Sequence, residues 1–171
     1  MKLKYALIGC GRISPNHVAA AINNNLDIVA LCDLDMEKAI KLRTDFKLDD
    51  TVKVYSDYVQ MILDNKIDLI AIATESGKHA EIAIKCINNR INLIIEKPIA
   101  LSLSDADLII EKARENNVKV SACHQNRFNK SIQKIRDAVL ENRFGKMLYG
   151  TAHIRWNRGQ NYYTQAPWRG T

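Results

Sequence analysis

The chain has 171 residues, of which 47% are hydrophobic, and a formal net charge of +6 at pH 7. This length suits one complete α/β domain with its own core and part of a second, and no apolar run is long enough to cross a bilayer, so we expect no membrane partner. The charges mix both signs along helical segments, and without a recognition helix or an aromatic stacking platform we expect an anionic small molecule rather than a nucleic acid as the partner.

Apolar runs alternate with helical periodicity up to residue 124. The nearly continuous apolar runs predict six strands, as in a sheet covered on both faces, at 5–9, 28–32, 52–55, 69–73, 93–96 and 119–123. The patterns between them predict five helices, at 15–24, 36–46, 57–65, 79–88 and 104–116. This alternation predicts right-handed crossovers and a doubly wound parallel sheet, the Rossmann type of α/β fold.

A glycine-rich loop, GCGRIS (9–14), joins the first predicted strand to the first helix. Gly9 suits a tight turn, Gly11 permits a close backbone approach, and the start of the helix offers free N–H groups to an anion. The loop is therefore a candidate dinucleotide phosphate site, with a plain strand-to-helix turn as the alternative. Ser14 stands where glycine or alanine is usual, and followed by Pro15 it suits a helix N-cap.

Asp33 ends the second predicted strand. A carboxylate at this position accepts hydrogen bonds from an adenosine ribose and repels a 2′-phosphate, which favours NAD over NADP. Capping of the next helix is the alternative role, but Asp35 already suits that cap. The strand, loop, helix, strand and acidic residue in this order make dinucleotide binding the favoured interpretation.

Lys97 follows the fifth predicted strand, in the stretch EKP. Ligands of open parallel sheets bind beyond the carboxyl ends of the strands, so this lysine is placed to face a substrate. The positive charge of an oxidised nicotinamide would favour loss of the lysine proton, and the amine could then help to move the proton of a sugar hydroxyl. A surface lysine before a turn proline is an equally good interpretation of this position alone.

The pattern changes after His124. Residues 131–142 predict a helix and residues 147–156 a longer strand, followed by an aromatic, arginine-rich tail. We therefore expect a dinucleotide-binding domain over residues 1–124. Residues 125–171 would be the beginning of a second α/β domain that is incomplete, because it is too short to bury a core alone.

The cysteines are not arranged as a metal or redox motif. Cys10, Cys32, Cys86 and Cys123 form no CxxC pair, and none has a histidine at metal-ligand spacing. We therefore expect buried reduced thiols and no metal site. The short apolar run at the N-terminus is typical of a first strand rather than a signal peptide, which predicts a cytoplasmic protein.

In chain order, GCGRIS, Asp33, ATESGKH (73–79), EKP (96–98) and HQNRF (124–128) resemble the Gfo/Idh/MocA family of NAD(P)-dependent oxidoreductases. The resemblance implies hydride transfer at a hydroxyl or carbonyl of a sugar, and a C-terminal α/β domain through which a homo-oligomer assembles. It also implies that Lys97 is catalytic. The residues that it implies for NAD binding are Gly9, Gly11, Arg12, Ile13, Asp33, Thr74, His79, Glu96 and Gln125.

The tail resembles a narrower group within this family. HQNRFN, RWNRGQNYY (155–163) and APWRGT (166–171) are similar to bacterial nucleotide-sugar 3-dehydrogenases that act on UDP-N-acetylglucosaminuronate. The similarity implies a substrate site that contains Lys97, Asn126, Arg127, Arg158 and Arg169. Arginines suit a uronate and a diphosphate as bidentate partners, with Arg155 as a further cation, although a basic surface accounts equally well for any one of them.

The family resemblance also implies a later segment with a Gly-Gly pair and an acid–base histidine, which would follow Thr171. We therefore expect a truncated second domain and an isolated chain with little or no turnover. A non-catalytic dinucleotide-binding module or remnant is the alternative function. Such a module needs the loop and Asp33 but neither Lys97 nor the arginine-rich tail.

Overall fold

The structure, a computed structural model, describes residues 2–164 and Ala166. The chain divides after His124 into two compact units. The first unit contains one parallel sheet of six strands in the order β3-β2-β1-β4-β5-β6. The strands are β1 Lys4–Ile8, β2 Asp27–Cys32, β3 Lys53–Tyr55, β4 Leu69–Ile72, β5 Asn92–Glu96 and β6 Val120–Cys123. The predicted Rossmann fold is confirmed.

Five helices alternate with these strands: α1 Ser14–Asn23, α2 Met36–Asp45, α3 Tyr58–Asp64, α4 His79–Asn88 and α5 Leu103–Glu115. Every element that the sequence predicts for this unit is present, and no end shifts by more than one residue. Asp35, Asp57 and Ser102 cap three of the helices, because each side chain accepts a hydrogen bond from an N–H group of the first turn. A 3₁₀ turn, Ser76–Lys78, precedes α4.

The core lies on both faces of the sheet. Successive residues of β1 alternate between the two layers, with Tyr5 and Leu7 in one apolar cluster and Ala6 and Ile8 in the other. Helices α1 and α2 cover the first cluster, and α3, α4 and α5 cover the second. Because both faces are buried, the strands are continuous apolar runs.

The second unit, over its described residues, contains a 3₁₀ turn and two helices: Gln125–Phe128, α6 Lys130–Leu140 and α7 Gln160–Thr164. The predicted helix at 131–142 is confirmed as α6. The predicted strand at 147–156 is wrong: these residues form no ladder, and a strand depends on hydrogen bonds to a neighbouring strand. No helix within the described ranges is long and apolar enough to cross a bilayer.

Candidate functional site

The centre of the sheet is the point where the strand order reverses. The chain proceeds outward from β1 to β3 and then crosses back to β4, on the other side of β1. The carboxyl ends of β1 and β4 therefore diverge into connections that leave in opposite directions. A crevice at such a reversal is where open α/β sheets bind ligands.

Gly9 makes the tight turn at the end of β1. Its φ is +95°, and a Cβ built on it would lie 2.6 Å from the backbone carbonyl carbon of Ala73. Its N–H donates to the carbonyl of Cys32 over 2.8 Å. A glycine is therefore required at position 9 by the fold, because of its backbone conformation and because the segment directly after β4 lies so close.

The loop after Gly9 presents unpaired donors. Within the part of the chain that the structure describes, the N–H groups of Gly11, Arg12 and Ile13 have no hydrogen-bond acceptor. Gly11 is exposed, and a Cβ built on it would meet no protein atom within 4 Å. Since no protein contact requires a glycine at position 11, the open backbone there is available to an external group. Successive free N–H groups before a helix form an anion site.

Ser14 differs from its predicted role. We expected an N-cap, but the helix begins at Ser14, and the cap position is taken by Ile13 in αR backbone conformation. The Ser14 hydroxyl, 1% exposed with its residue, donates to the carbonyl oxygen of Gly11 over 2.6 Å. A capping side chain accepts from the helix, so a hydroxyl that donates back to the loop cannot act as the cap. The small serine nevertheless fits the buried position.

Asp33 lies beside the loop, at the carboxyl end of β2. One carboxylate oxygen accepts from the N–H of Cys10 over 2.7 Å, and the other accepts from the N–H of Asp35 over 2.9 Å. The side chain is partly exposed. Each carboxylate oxygen can accept a further hydrogen bond, so the carboxylate can hold the loop and still receive ribose hydroxyls.

His79, at the start of α4, is 1% exposed. Its Nδ1 lies 2.7 Å from the carbonyl oxygen of Pro98, and its Nε2 lies 3.1 Å from the carbonyl oxygen of Thr74. Both ring nitrogens therefore face backbone acceptors, and the ring joins the end of β4 to the segment after β5. Thr74 itself is partly exposed at the crevice. Any influence of His79 on a cofactor would pass through these two backbone segments.

Lys97 is exposed immediately after β5, before a cis peptide bond to Pro98. Among the described residues no carboxylate forms an ion pair with its ammonium group. Glu96 holds the preceding position: one carboxylate oxygen lies 3.0 Å from Nε2 of His17, and the other accepts from the N–H of Lys97 over 3.3 Å. The Lys97 side chain is thus accessible to a ligand, while its backbone N–H is held by the Glu96 carboxylate.

The sequence analysis missed His17. It lies on α1, and it forms with Glu96 and Cys123 a cluster whose ligand atoms are within 4.8 Å of one another. Burial, and then the charge of Glu96, raise the pKa of the Cys123 thiol, which keeps it protonated. Within this cluster, the His17–Glu96 contact is the one hydrogen bond among the described side chains. No local pattern predicts a contact between residues 79 apart.

Cys10 is not a nucleophile in spite of its place in the loop. Burial raises the pKa of its thiol to about 12, with a smaller contribution from the nearby charge of Asp33. The thiol contacts the carbonyl of Cys32 over 3.6 Å. All four cysteines are free; Cys10, Cys32 and Cys86 are buried as predicted, whereas Cys123 is only partly buried.

The remaining predicted residues belong to the second unit. Gln125, Asn126 and Arg127 form its 3₁₀ turn and are exposed. The guanidinium of Arg158 lies over two aromatic rings, 4.8 Å from the ring centroid of Trp156 and 4.9 Å from that of Tyr162. Arg155 is exposed, and Arg169 lies outside the described residues.

The first unit fits a dinucleotide at the reversal point. The free N–H groups of the loop suit a pyrophosphate, and the open space at Gly11 admits it without a protein clash. The Asp33 carboxylate suits ribose hydroxyls and opposes a 2′-phosphate. Lys97 supplies a cation and hydrogen-bond donor at the opposite side of the crevice.

A family model, described as an oxidoreductase family with an NAD-binding Rossmann fold, matches residues 3–124. Among solved structures, the WlbA dehydrogenase of Bordetella pertussis in complex with NADH and UDP-GlcNAcA superposes with a TM-score of 0.91 and 30% sequence identity, over 99% of this chain and 51% of that chain. The WlbA dehydrogenase of Chromobacterium violaceum, in complex with the same two ligands, gives a TM-score of 0.87 and 27% identity, over 99% and 49%.

Relatives with other names also match by sequence. The inositol 2-dehydrogenase of Salmonella typhimurium strain LT2 is 24% identical over 151 residues, which are 86% of this chain and 44% of that protein. The chain thus spans about half the length of the relatives that it matches.

Proposed function

The chain belongs to the Gfo/Idh/MocA oxidoreductase family with an NAD-binding Rossmann fold, and from this membership we propose that it binds NAD(H) and serves hydride transfer at a ring hydroxyl of a sugar. The observation that carries the proposal is the crevice itself: free N–H groups on one side, Asp33 beside them and exposed Lys97 across the sheet. This combination suits a dinucleotide and a hydroxyl-bearing substrate together.

The cofactor residues are assigned by what each can donate or accept. Gly9 makes the turn that presents the loop, the free backbone N–H groups of Gly11, Arg12 and Ile13 bind the pyrophosphate, and Asp33 binds the adenosine ribose and selects NAD over NADP. By the family resemblance, Thr74 and His79 would lie near the ribose and phosphates of the cofactor, and Glu96 and Gln125 near its nicotinamide.

NAD⁺ supplies, when bound, the acceptor for the hydride that leaves the carbinol carbon. Lys97 helps to move the hydroxyl proton to the acid–base histidine that the family resemblance implies beyond residue 171, so that the loss of one hydride and one proton leaves a carbonyl. Its exposed position without an ion pair among the described residues supports this role, because an amine that is held by a carboxylate would be less free to approach a hydroxyl.

The substrate that we propose is a nucleotide-sugar uronate. Two solved structures that match over nearly the whole chain hold UDP-GlcNAcA. A uronate and a diphosphate require cations, and Asn126, Arg127, Arg158 and Arg169, together with Lys97, would supply donors of the required kind. Residues from 125 onward would belong to a substrate-binding domain, through which the whole protein would assemble as a homo-oligomer.

Cofactor titration tests the first half of the proposal. The chain is titrated with NADH and then with NADPH, and nicotinamide fluorescence is followed. Saturable binding with a preference for NADH is the expected result. Preference for NADPH would overturn the role of Asp33, and a folded chain that binds neither would overturn the proposal.

Substrate turnover tests the second half. Because we expect little or no turnover from the isolated chain, NAD⁺ reduction is followed with UDP-GlcNAcA and, in parallel, with myo-inositol, for a protein in which the chain is extended by a complete second domain and for its Lys97→Met variant. We expect reduction with the nucleotide sugar alone, and its loss in the variant with NADH affinity retained. NADH binding without turnover of either compound would favour the non-catalytic binding module.

A further inference from the structure

We infer that His17 is a positioning residue for Lys97, acting through the Glu96 carboxylate. The inference rests on the proposed function of Lys97 and NAD(H). It concerns a residue that lies on the helix of the phosphate loop, not on the segment that carries the lysine. His17 thereby links the position of the lysine to the loop that would bind the cofactor.

Two hydrogen bonds form the link. Nε2 of His17 lies 3.0 Å from one oxygen of Glu96, and the second oxygen of Glu96 accepts from the backbone N–H of Lys97 over 3.3 Å. The carboxylate therefore bridges a side chain on α1 and the main chain of the lysine itself. A carboxylate that is held at both oxygens has little freedom to rotate, so the backbone at Lys97 is held with it.

The surroundings strengthen the link. The side chains of His17 and Glu96 are only 10% and 14% exposed, so water competes weakly for either partner. The third polar group of the cluster, the Cys123 thiol, stays protonated because burial and the Glu96 charge raise its pKa. A neutral thiol cannot replace His17 as the strong donor to the carboxylate.

The helix that carries His17 begins at the loop with the free N–H groups. His17 follows that loop by less than one helical turn. A dinucleotide that draws the loop toward its pyrophosphate would therefore act on Glu96 and Lys97 through one rigid element. Without the His17 bond, the cofactor would still bind at the loop, but Lys97 would not respond to it in the same way.

Two amide variants of His17 test whether the hydrogen bond to Glu96 matters, because only one of them is long enough to form it. The amide nitrogen of a glutamine can occupy nearly the position of Nε2, whereas an asparagine amide corresponds to Nδ1 and stops short of Glu96. His17→Gln therefore keeps the bond and His17→Asn removes it. Asn16→Ala, an exposed site on the same turn of α1, is the control for general effects on the helix.

The readout is the NMR signal of Lys97 rather than turnover. Lysines of the 171-residue chain are reductively methylated with isotope-labelled formaldehyde, and the signal of Lys97 is assigned by its loss in Lys97→Arg. The shift of that signal on saturation with NAD⁺ is compared among the variants. We expect the full shift in the wild type, His17→Gln and Asn16→Ala, and a clearly smaller shift in His17→Asn, with NAD⁺ affinity held within about threefold throughout.

The outcomes separate this inference from the proposed function. A shift in His17→Asn equal to that of the wild type would overturn the positioning role alone. A wild-type chain that binds NAD⁺ without any shift of the Lys97 signal would overturn the proposed role of Lys97, and the inference with it. Loss of the shift in both histidine variants, glutamine included, would show that reach to Glu96 is not the cause and would also overturn the inference.

Discussion

The Asp33 carboxylate accepts a hydrogen bond from the N–H of Cys10 over 2.7 Å, so the acidic residue that ends β2 is fastened to the loop that follows β1. The glycine-rich loop and Asp33, which are far apart in the sequence, are thereby joined by a hydrogen bond. A substitution that moves the Asp33 carboxylate should therefore also move the loop at Cys10.

Asp33→Ala should weaken NADH binding by about tenfold or more, because it removes charge-assisted bonds to the ribose and leaves the Cys10 N–H without its acceptor. It should also reduce the discrimination against NADPH. Fluorescence titration with both cofactors measures the two effects. Asp35→Ala is the control, since that side chain caps α2 by accepting from Glu37; an equal loss of affinity in both variants would contradict the role of Asp33.

Gly9→Ala should lower the stability of the fold, whereas Gly11→Ala should lower the affinity for NADH. At position 9 a Cβ meets the Ala73 backbone at 2.6 Å at a φ of +95°, so we expect a loss of several kcal/mol of stability or no folded protein. At position 11 a Cβ meets nothing in the protein, so the chain should fold normally and lose NADH affinity. Urea unfolding and NADH titration distinguish the two. A Gly11→Ala chain that binds like the wild type would show that no ligand approaches there.

Ser14→Ala should lower the free energy of unfolding by about 1 kcal/mol, because the buried hydroxyl no longer donates to the Gly11 carbonyl. Affinity for NADH should change little, since the free N–H groups remain. Urea unfolding measures the loss. Thr44→Ala is the control, because it removes a comparable hydrogen bond to the Ile40 carbonyl at an exposed site. It should lower the free energy of unfolding by less than Ser14→Ala does. A larger decrease in Thr44→Ala would contradict the importance of burial at Ser14.

Stability should fall as the pH rises above about 9. Burial raises the pKa of the Cys86 thiol from 9.0 to about 12, so between these values the unfolded chain releases a proton that the folded chain keeps. One such group lowers the unfolding free energy by about 1.4 kcal/mol per pH unit in this range. Cys86→Ala should therefore flatten the dependence measured by urea unfolding across alkaline pH. A slope identical to that of the wild type would show that the thiol titrates normally.

Most of the fold could be predicted because its signals are local. Strands buried on both faces are continuous apolar runs, and the helices between them carry caps such as Asp35 and Asp57. The alternation of the two then leaves a parallel sheet with right-handed crossovers as the consistent topology. The loop glycines and Asp33 could be proposed as site residues for the same reason, since the loop and the acidic residue each follow an apolar run.

Two local predictions failed, for different reasons. The residues at 147–156 have a strand-like pattern, yet a strand forms only against a neighbour, and the described part of their unit contains none. Ser14 has the composition of a cap, but the helix begins one residue earlier than a cap would require, and its hydroxyl turns back to Gly11.

The sequence by itself determined the order of the elements and the positions of the glycine-rich loop and the acidic residue, because hydrophobic period and glycine position act over a few residues. Only the tertiary structure decided which side chains meet. His17 and Glu96 are 79 residues apart, and they come within 3.0 Å because the parallel sheet brings the end of β5 next to the helix that leaves β1. Such a contact depends on strand order and helix packing, which are properties of the whole sheet rather than of any segment.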